Sequence, residues 1–558
     1  MATDHVTPPT AKAAAKARAA STAEPGPAST VTPSTAAARG SGLPASLTAA
    51  RIERLAARVV AAPDAARVIT NAPYTGAPLA DLPVSTPADV EHAFARARIA
   101  QKAWAATSLS QRKKILLRFH DLVMARQDEA LDLMQAENGK TRRDAFLEVV
   151  DIAITSRYYA RNAARYLEPK RRRGAIPVLT HTTELRHPKG VVTVISPWNY
   201  PLSMAAGDAI AALMAGNAVV QKPDTQTALT ALWSLDLMHA AGLPAGVWQM
   251  VVGRGSSIGG ALMDNADYVM FTGSTASGRR IASDAGRRLV GASLELGGKN
   301  AMIVLDDADI DKAADGAVAA CFPSAGQLCV SIERLYVAES IRDQFVAAFV
   351  ARTKMLKIGA AYDYSIDVGS LTNPSQLKTV TEHVDDAVAK GATVLAGGKA
   401  RPDLGPLFYE PTILADVTPD MTLCEHETFG PVVSVYPFRA DDEAITLANA
   451  TPYGLNASVW SGSGSRGRAV AARVHAGTVN VNEAFAAAWG SIDAPMGGMG
   501  DSGFGRRHGA DGILKYTEPQ TVAHQRIQGF TPPASISPET WATLLTGALK
   551  VLKAAGVR

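Results

Sequence analysis

Gly190-Val191-Val192-Thr193-Val194-Ile195 opens a stretch, closing at Glu295, in which short β-branched runs alternate with helical ones. The runs occupy residues 191–195, 218–220, 247–252, 268–271 and 289–294. That alternation predicts βαβ units and a parallel sheet, with ligands at the carboxyl ends of the strands. Upstream, residues 47–167 read mostly as helices, one starting at Ala88 behind Thr86-Pro87 and another at about Leu109. Downstream, a second α/β region extends from Leu296 to about Val481. The fold class expected is therefore α/β.

The 558 residues amount to two or three packed units at roughly 100–200 residues per domain. A formal charge of +4 in so long a chain argues against a nucleic-acid surface. With 47% hydrophobic and 19% charged residues the composition is that of a globular protein. Cys321, Cys329 and Cys424 have neither zinc-site spacing nor the density of a disulfide scaffold, so no metal is expected and a reducing cytoplasm is the natural location. No run of 18 apolar residues predicts a transmembrane span.

The two ends differ from the body. Residues 1–45 are dominated by Ala, Pro, Thr, Ser and Gly and read as a disordered tail, with a transit peptide as the competing reading. Residues 527–558 contain an amphipathic helix: Ser537 suits the N-cap and Pro538 the first turn, and Trp541, Leu544, Leu545, Ala548, Leu549 and Leu552 share one face. That face is expected to pack on the body or a second subunit, peripheral membrane contact being the alternative. The basic run Lys170-Arg171-Arg172-Arg173 reads as a solvated linker.

Candidate chemistry gathers at the strand ends. Gly253-Arg254-Gly255-Ser256-Ser257-Ile258-Gly259 runs from a strand into a helix as a dinucleotide phosphate loop would, though without G-x-G-x-x-G spacing. Phe271-Thr272-Gly273-Ser274-Thr275-Ala276-Ser277-Gly278 repeats the arrangement, with helix N–H groups and the Ser274 hydroxyl available to a pyrophosphate. Glu295 ends a strand beside Gly297 and Gly298, and Gly326-Gln327-Leu328 delivers a single thiol, Cys329. A lone cysteine is ordinarily inert core; its company overturns that reading.

Together with Pro197-Trp198-Asn199-Tyr200-Pro201, Lys222-Pro223, Glu295-Leu296-Gly297-Gly298-Lys299, Glu427-Thr428-Phe429-Gly430-Pro431-Val432 and Pro495-Met496-Gly497-Gly498, these stretches resemble the aldehyde dehydrogenase superfamily from about Leu47 to Gln525. Lys222-Pro223-Asp224-Thr225-Gln226-Thr227 and Ala494-Pro495-Met496-Gly497-Gly498-Met499-Gly500 bring the resemblance closest to the NADP-type succinate-semialdehyde dehydrogenases of actinobacteria. The resemblance implies oxidation of a small-molecule aldehyde to an acid. Cys329 would be the nucleophile, Asn199 and the Cys329 backbone N–H the oxyanion donors, and Glu295 the base that hydrolyses the thioester. Trp198, Lys222, Thr225, Gly253, Gly273, Ser274, Gln376, Glu427 and Phe429 would hold the cofactor. A scaffolding relative without activity would be expected to lack the thiol or the base, and both are present.

The same resemblance implies a cofactor domain (46–170 and 190–295), a catalytic domain (296–485) and an oligomerisation element (171–189 and 486–526). The last comprises a hairpin over residues 175–187 and a strand near 520–523, joining copies into a homodimer or homotetramer. Thr225 stands where NAD-preferring relatives often carry Glu, so NADP is expected, with NAD second. The arginines that hold the substrate carboxylate in well-studied succinate-semialdehyde enzymes would fall at Gly207 and Pro323, and Asp208 stands where many relatives carry Lys. A medium-chain or aromatic aldehyde is accordingly the alternative substrate.

Overall fold

The computed structural model describes residues 42–174, 180–526 and 529–556. The tail reading for residues 1–45 falls almost wholly outside them, as does the tip of the expected hairpin at 175–179.

The helical opening is confirmed in its main members. Helix Pro87–Ala105 starts where Thr86 and Asp89 form a reciprocal capping box, the Asp89 carboxylate accepting from the Thr86 N–H at 2.8 Å. Helices Leu109–Ala125, Gln127–Asn138 and Arg142–Leu167 follow. Between an earlier helix, Ala49–Ala56, and Pro87–Ala105 lies a feature the helical reading passed over, an antiparallel pair of strands Arg67–Asn71 and Pro78–Pro83.

The predicted parallel sheet has six strands, in the order Gly503–Phe504, Gly291–Glu295, Tyr268–Thr272, Val191–Ser196, Ala218–Pro223 and Trp248–Met250. All its neighbours run parallel except the edge pair made by 503–504. Its central strands are buried on both faces, which is why they read as continuous apolar runs. The expected strand at 289–294 begins later. Leu289 takes φ 56° at a turn and is 95% exposed, so only 291–295 pairs.

A second, seven-stranded sheet carries the region beyond Leu296, with Asn300–Val304 and Ile332–Ala338 near its centre. It is parallel except where Thr393–Ala396 pairs with Thr412–Ala415. Residues beyond Ala486 serve several sheets. Met499–Gly500 pairs with Tyr453–Gly454, 503–504 edges the six-stranded sheet, and Thr517–Gln525 pairs with Thr180–Pro188.

That last pair becomes a three-stranded sheet through Lys170–Arg173, which corrects the linker reading of the basic run. One side chain of the run meets an acceptor across the strand pair. Arg172 Nε donates to Glu184 at 2.7 Å, so the charges sit on an exposed ladder instead of a loop. Helix Pro538–Ala554 forms with Ser537 as N-cap and has no fully buried residue, leaving Leu544, Leu549 and Val551 exposed. No described helix is long and apolar enough to cross a membrane.

Candidate active site

Parallel strands end together, so their carboxyl edge delivers several loops to one place. Here Val191–Ser196 leads into Pro197-Trp198-Asn199, Tyr268–Thr272 into Gly273-Ser274, and Gly291–Glu295 ends on the carboxylate itself. Facing them is the segment between helix Ile310–Cys321 and strand Ile332–Ala338, which carries Cys329. A cleft of about 330 Å³ opens between, lined by Trp198, Asn199, Gly273, Ser274, Glu295, Cys329, Gln376, Glu427 and Phe429. Lys222, Thr225 and Gly253 are not on it. Lys222 ends strand Ala218–Pro223, Thr225 starts the turn that follows, and Gly253 precedes helix Gly255–Asn265.

The thiol's loop is held in a conformation that ordinary residues avoid. Ser324, Ala325 and Gly326 take φ of 50°, 54° and 72° in succession; for non-glycine residues such positions cost about 1–3 kcal/mol each. Gly326 is required twice over, because a Cβ there would stand 2.0 Å from the Gly430 carbonyl oxygen. The strain is offset by buried hydrogen bonds. The Ser324 N–H donates to Asp144 at 2.9 Å, Gln327 Nε2 to the Ser324 carbonyl at 2.9 Å, and the Thr372 N–H to Gln327 Oε1 at 2.9 Å. Asn300 Nδ2 closes the far side on the carbonyls of Cys329 and Ser331, at 2.7 and 2.8 Å. Asn199 lies against this loop, its Nδ2 donating to the Gln327 carbonyl at 3.0 Å while its own carbonyl accepts from Lys140 Nζ at 2.7 Å. An amide nitrogen carries two donors, so one N–H of Asn199 remains beside the thiol's loop.

The electrostatics divide the titratable groups. Burial, reinforced by the Glu295 and Glu427 carboxylates, pushes the Cys329 thiol up to about 12. Glu295 is 5% exposed and its Oε1 has no partner among the described residues. Burial raises it to about 7 against the pull of Arg507 and Lys515. That is the range in which a carboxylate can exchange a proton with water at neutral pH. Glu427 is pushed to about 8 by burial and by Glu333, while its Oε1 accepts from the Gly298 N–H at 2.8 Å.

On the remaining wall the Trp198 and Phe429 rings meet edge to face, centroids 5.5 Å apart and planes at 88°. Phe429 has φ 52° and is held from behind. Gln376 Nε2 donates to the carbonyls of Thr428 and Phe429, both at 2.9 Å, so its amide nitrogen is committed to that loop. Ser274 is the N-cap of helix Thr275–Arg287, its hydroxyl accepting from the Ser277 N–H at 3.4 Å.

Sequence reasoning passed over Asn300 and Gln327 as supports of the thiol loop, and Glu333, whose strand carried no visible motif. It also passed over Arg507 and His508, which line the cleft. A signal for the latter pair existed in the basic triplet Arg506-Arg507-His508 directly after the glycine-rich 495–505.

Against known proteins, the description "Aldehyde dehydrogenase family" matches residues 60–522. The chain is also 54% identical over 468 residues to a Mycobacterium ulcerans protein named "Putative succinate-semialdehyde dehydrogenase [NADP(+)] 2", covering 84% of this chain and 90% of that one. The chain belongs to the aldehyde dehydrogenase family. A Mycobacterium tuberculosis aldehyde dehydrogenase of the same name is 53% identical over 486 residues, 87% of this chain and 94% of that one. The rice protein named mitochondrial succinate-semialdehyde dehydrogenase is 37% identical over 80% of this chain and 84% of its own. Among solved aldehyde dehydrogenase structures, the Staphylococcus aureus betaine enzyme in complex with NAD+ superposes with a TM-score of 0.81 at 31% identity. The match covers 88% of this chain and 99% of that one. A structure described as an E. coli NADP-dependent enzyme gives 0.80 at 34% identity, covering 83% and 96%. The α/β class expected from the strand pattern and the aldehyde dehydrogenase fold implied by the resemblance are thereby established.

Proposed function

We propose that this aldehyde dehydrogenase oxidises succinic semialdehyde to succinate with NADP, through a thioester on Cys329. The observation that carries the chemistry is the pairing, on one cleft, of a partly exposed thiol with Glu295, a buried carboxylate whose Oε1 is unpartnered and whose proton affinity is tuned to neutrality. The substrate and cofactor are supported by the names of the mycobacterial relatives.

An aldehyde releases hydride only from a tetrahedral carbon. Cys329 Sγ forms that carbon by bonding to the carbonyl, its proton passing to a base, and the oxygen becomes an oxyanion beside Asn199 Nδ2 and the Cys329 N–H. Removing one such donor typically costs about 10²–10³ in rate. Loss of hydride leaves the thioester. Glu295 then takes a proton from water as the water oxygen attacks the acyl carbon, the C–S bond breaks, and the acid departs.

The residues present fit a nicotinamide dinucleotide. Gly273 leaves space that a Cβ would deny, since it would stand 2.6 Å from the Phe271 ring, and the N-terminus of helix Thr275–Arg287 opens there. Glu427 leans over Gly297, where a Cβ would stand 2.4 Å from its Oε2. Lys222 is buried with its Nζ donating, among the described residues, only to the Pro223 carbonyl at 3.3 Å, leaving ammonium donors for a ribose or phosphate. Bound there, the dinucleotide supplies a hydride acceptor. We assign Trp198 and Phe429 to the nicotinamide wall, Glu427 to its ribose, Gly253 and Ser274 to the phosphate loops, and Lys222 and Thr225 to the adenosine end. Gln376 acts by fixing the Phe429 loop.

In the same reading, 46–170 with 190–295 form the cofactor domain, 296–485 the catalytic domain, and 171–189 with 486–526 the oligomerisation element. The open edge of Thr517–Gln525 is the pairing surface for a homodimer or homotetramer.

The test compares kcat/KM for succinic semialdehyde with that for butanal, which has the same carbon chain and no carboxylate, using NADP and reading reduced cofactor by absorbance. Preference for succinic semialdehyde is expected. Equal or better use of butanal would transfer the assignment to medium-chain or aromatic aldehydes, for which Leu147, Met204, Phe485 and Trp489 already supply an apolar wall.

A further inference from the structure

Succinic semialdehyde brings a second charge into the cleft, and a carboxylate taken out of water needs a cation or several N–H donors. Among the described residues that line the cleft, Arg507 is the only lysine or arginine. Positions 207 and 323, where arginines were looked for, are glycine and proline. A Cβ on Gly207 would stand 3.5 Å from Arg507 Nη2, so the guanidinium, approaching from a different loop, occupies the neighbourhood that a side chain at 207 would enter.

That guanidinium is buried yet under-used. Its five donors make one hydrogen bond among the described residues, Nη1 to the thioether sulfur of Met204 at 2.8 Å, and one ion-pair contact, Nη2 to Asp208 Oδ1 at 3.2 Å. A thioether is a weak acceptor. The neighbouring His508, also on the cleft, is 7% exposed, sits at φ 64°, and has a buried Nδ1 with no partner among the described residues. Burial and the adjoining cations Arg507 and Lys515 drive its imidazole down to about 3, so it meets a ligand neutral.

We propose that Arg507 is the specificity residue of this enzyme, its guanidinium receiving the distal carboxylate of succinic semialdehyde, with the unpartnered His508 Nδ1 as a second contact. The inference rests on the substrate reading given above. It replaces an arginine on the 203–214 helical segment by one from the loop that follows Gly505, and it accounts for Asp208, whose carboxylate holds the relocated guanidinium in place. Two further carboxylates face the guanidinium, Asp151 and Glu295. Burial lifts them to about 6 and about 7, and among the described residues neither is hydrogen-bonded to Arg507, so guanidinium donors remain for the incoming anion.

The experiment measures kcat/KM for succinic semialdehyde and for butanal in the wild-type enzyme and in Arg507→Met, with NADPH binding and thermal melting as checks on folding. The readout is the ratio of the two substrates, which a general disturbance of the base or the fold leaves unmoved. A fall in that ratio of about 30-fold or more, carried by KM for succinic semialdehyde, is expected from loss of a charge-assisted carboxylate contact. An unchanged ratio, with both substrates weakened equally, would overturn the proposal and make Arg507 a structural partner of Asp208. Should the methionine variant not fold, Arg507→Lys is read in the same way. It keeps the charge and loses the fork, so the ratio is expected to fall by about tenfold, and an unchanged ratio again rejects the role. Wild-type enzyme that favours butanal would instead remove the substrate reading itself.

Discussion

Lys299 and Glu333 form a buried ion pair, Nζ to Oε2 at 2.5 Å, with side chains 2% and 5% exposed. The same carboxylate accepts from the N–H of Thr428 at 2.9 Å and of Phe429 at 2.9 Å. One side chain therefore ties the Glu295–Lys299 motif to the Glu427–Phe429 motif, although neither contains it. Removing it by Glu333→Ala would strand a buried ammonium and two N–H groups. Breaking such a pair costs about 3–5 kcal/mol, so chemical denaturation should show a loss of that order, together with weaker NADPH binding as the Phe429 loop loosens. A loss below about 1 kcal/mol, the worth of an exposed pair, would show that the site relaxes around the gap.

Such ties mark the limit of what the linear chain discloses. Glu295 could be singled out from its neighbours, a carboxylate at a strand tip beside two glycines, whereas Cys329 and Asn199 entered through the resemblance to the family; the fold brings all three to one cleft. Glu333 was not legible: it lies inside Ile332–Ala338, a strand buried at every position, and its partners are Lys299 and the backbone at 428–429. The run Lys170–Arg173 was misread for a related reason. A four-residue basic segment has the composition of a linker, and only pairing with residues 181–184 makes it a strand. Five strands of the six-stranded sheet, by contrast, announced themselves as short apolar, largely β-branched runs, while the two-residue edge strand Gly503–Phe504 did not.

Cys329→Ala is expected to abolish turnover while leaving NADPH binding near normal, since among the described cysteines only Cys329 lines the cleft. Wild-type alkylation by iodoacetamide in the absence of cofactor should be slow at pH 7 and keep rising beyond pH 9, because the thiol is pushed to about 12. Near-normal dehydrogenase activity in the alanine variant would end the thioester mechanism.

Deacylation should follow the ionisation of Glu295. A base works only when deprotonated, so with its carboxyl at about 7 the steady-state rate should climb as pH rises through that value and flatten above it. Glu295→Gln removes the limb altogether. It should also release a burst of NADPH close to one equivalent per active site and then stall, since hydride loss precedes attack by water. Full turnover without a burst would place the base elsewhere.

The adenosine end decides between the two dinucleotides, and here the charges nearby set the expectation. Lys222 closes strand Ala218–Pro223 with a buried ammonium, and burial lowers its pKa while Asp224 opposes the shift. Asp224 is already engaged, its Oδ1 accepting from the Gln226 N–H at 2.9 Å to cap the turn Thr225–Thr227. Thr225, at the start of that turn, is therefore the position from which a new carboxylate would act on a 2′-phosphate held by Lys222. Thr225→Glu should accept hydrogen bonds from a ribose diol and repel the phosphate. The ratio of kcat/KM for NADP over NAD should fall by about tenfold or more, equivalent to roughly 1.4 kcal/mol. The fall should appear mainly in KM for NADP, because the substitution lies off the cleft where Cys329 and Glu295 operate. A ratio left unchanged would mean that groups other than Lys222 and Thr225 read the phosphate.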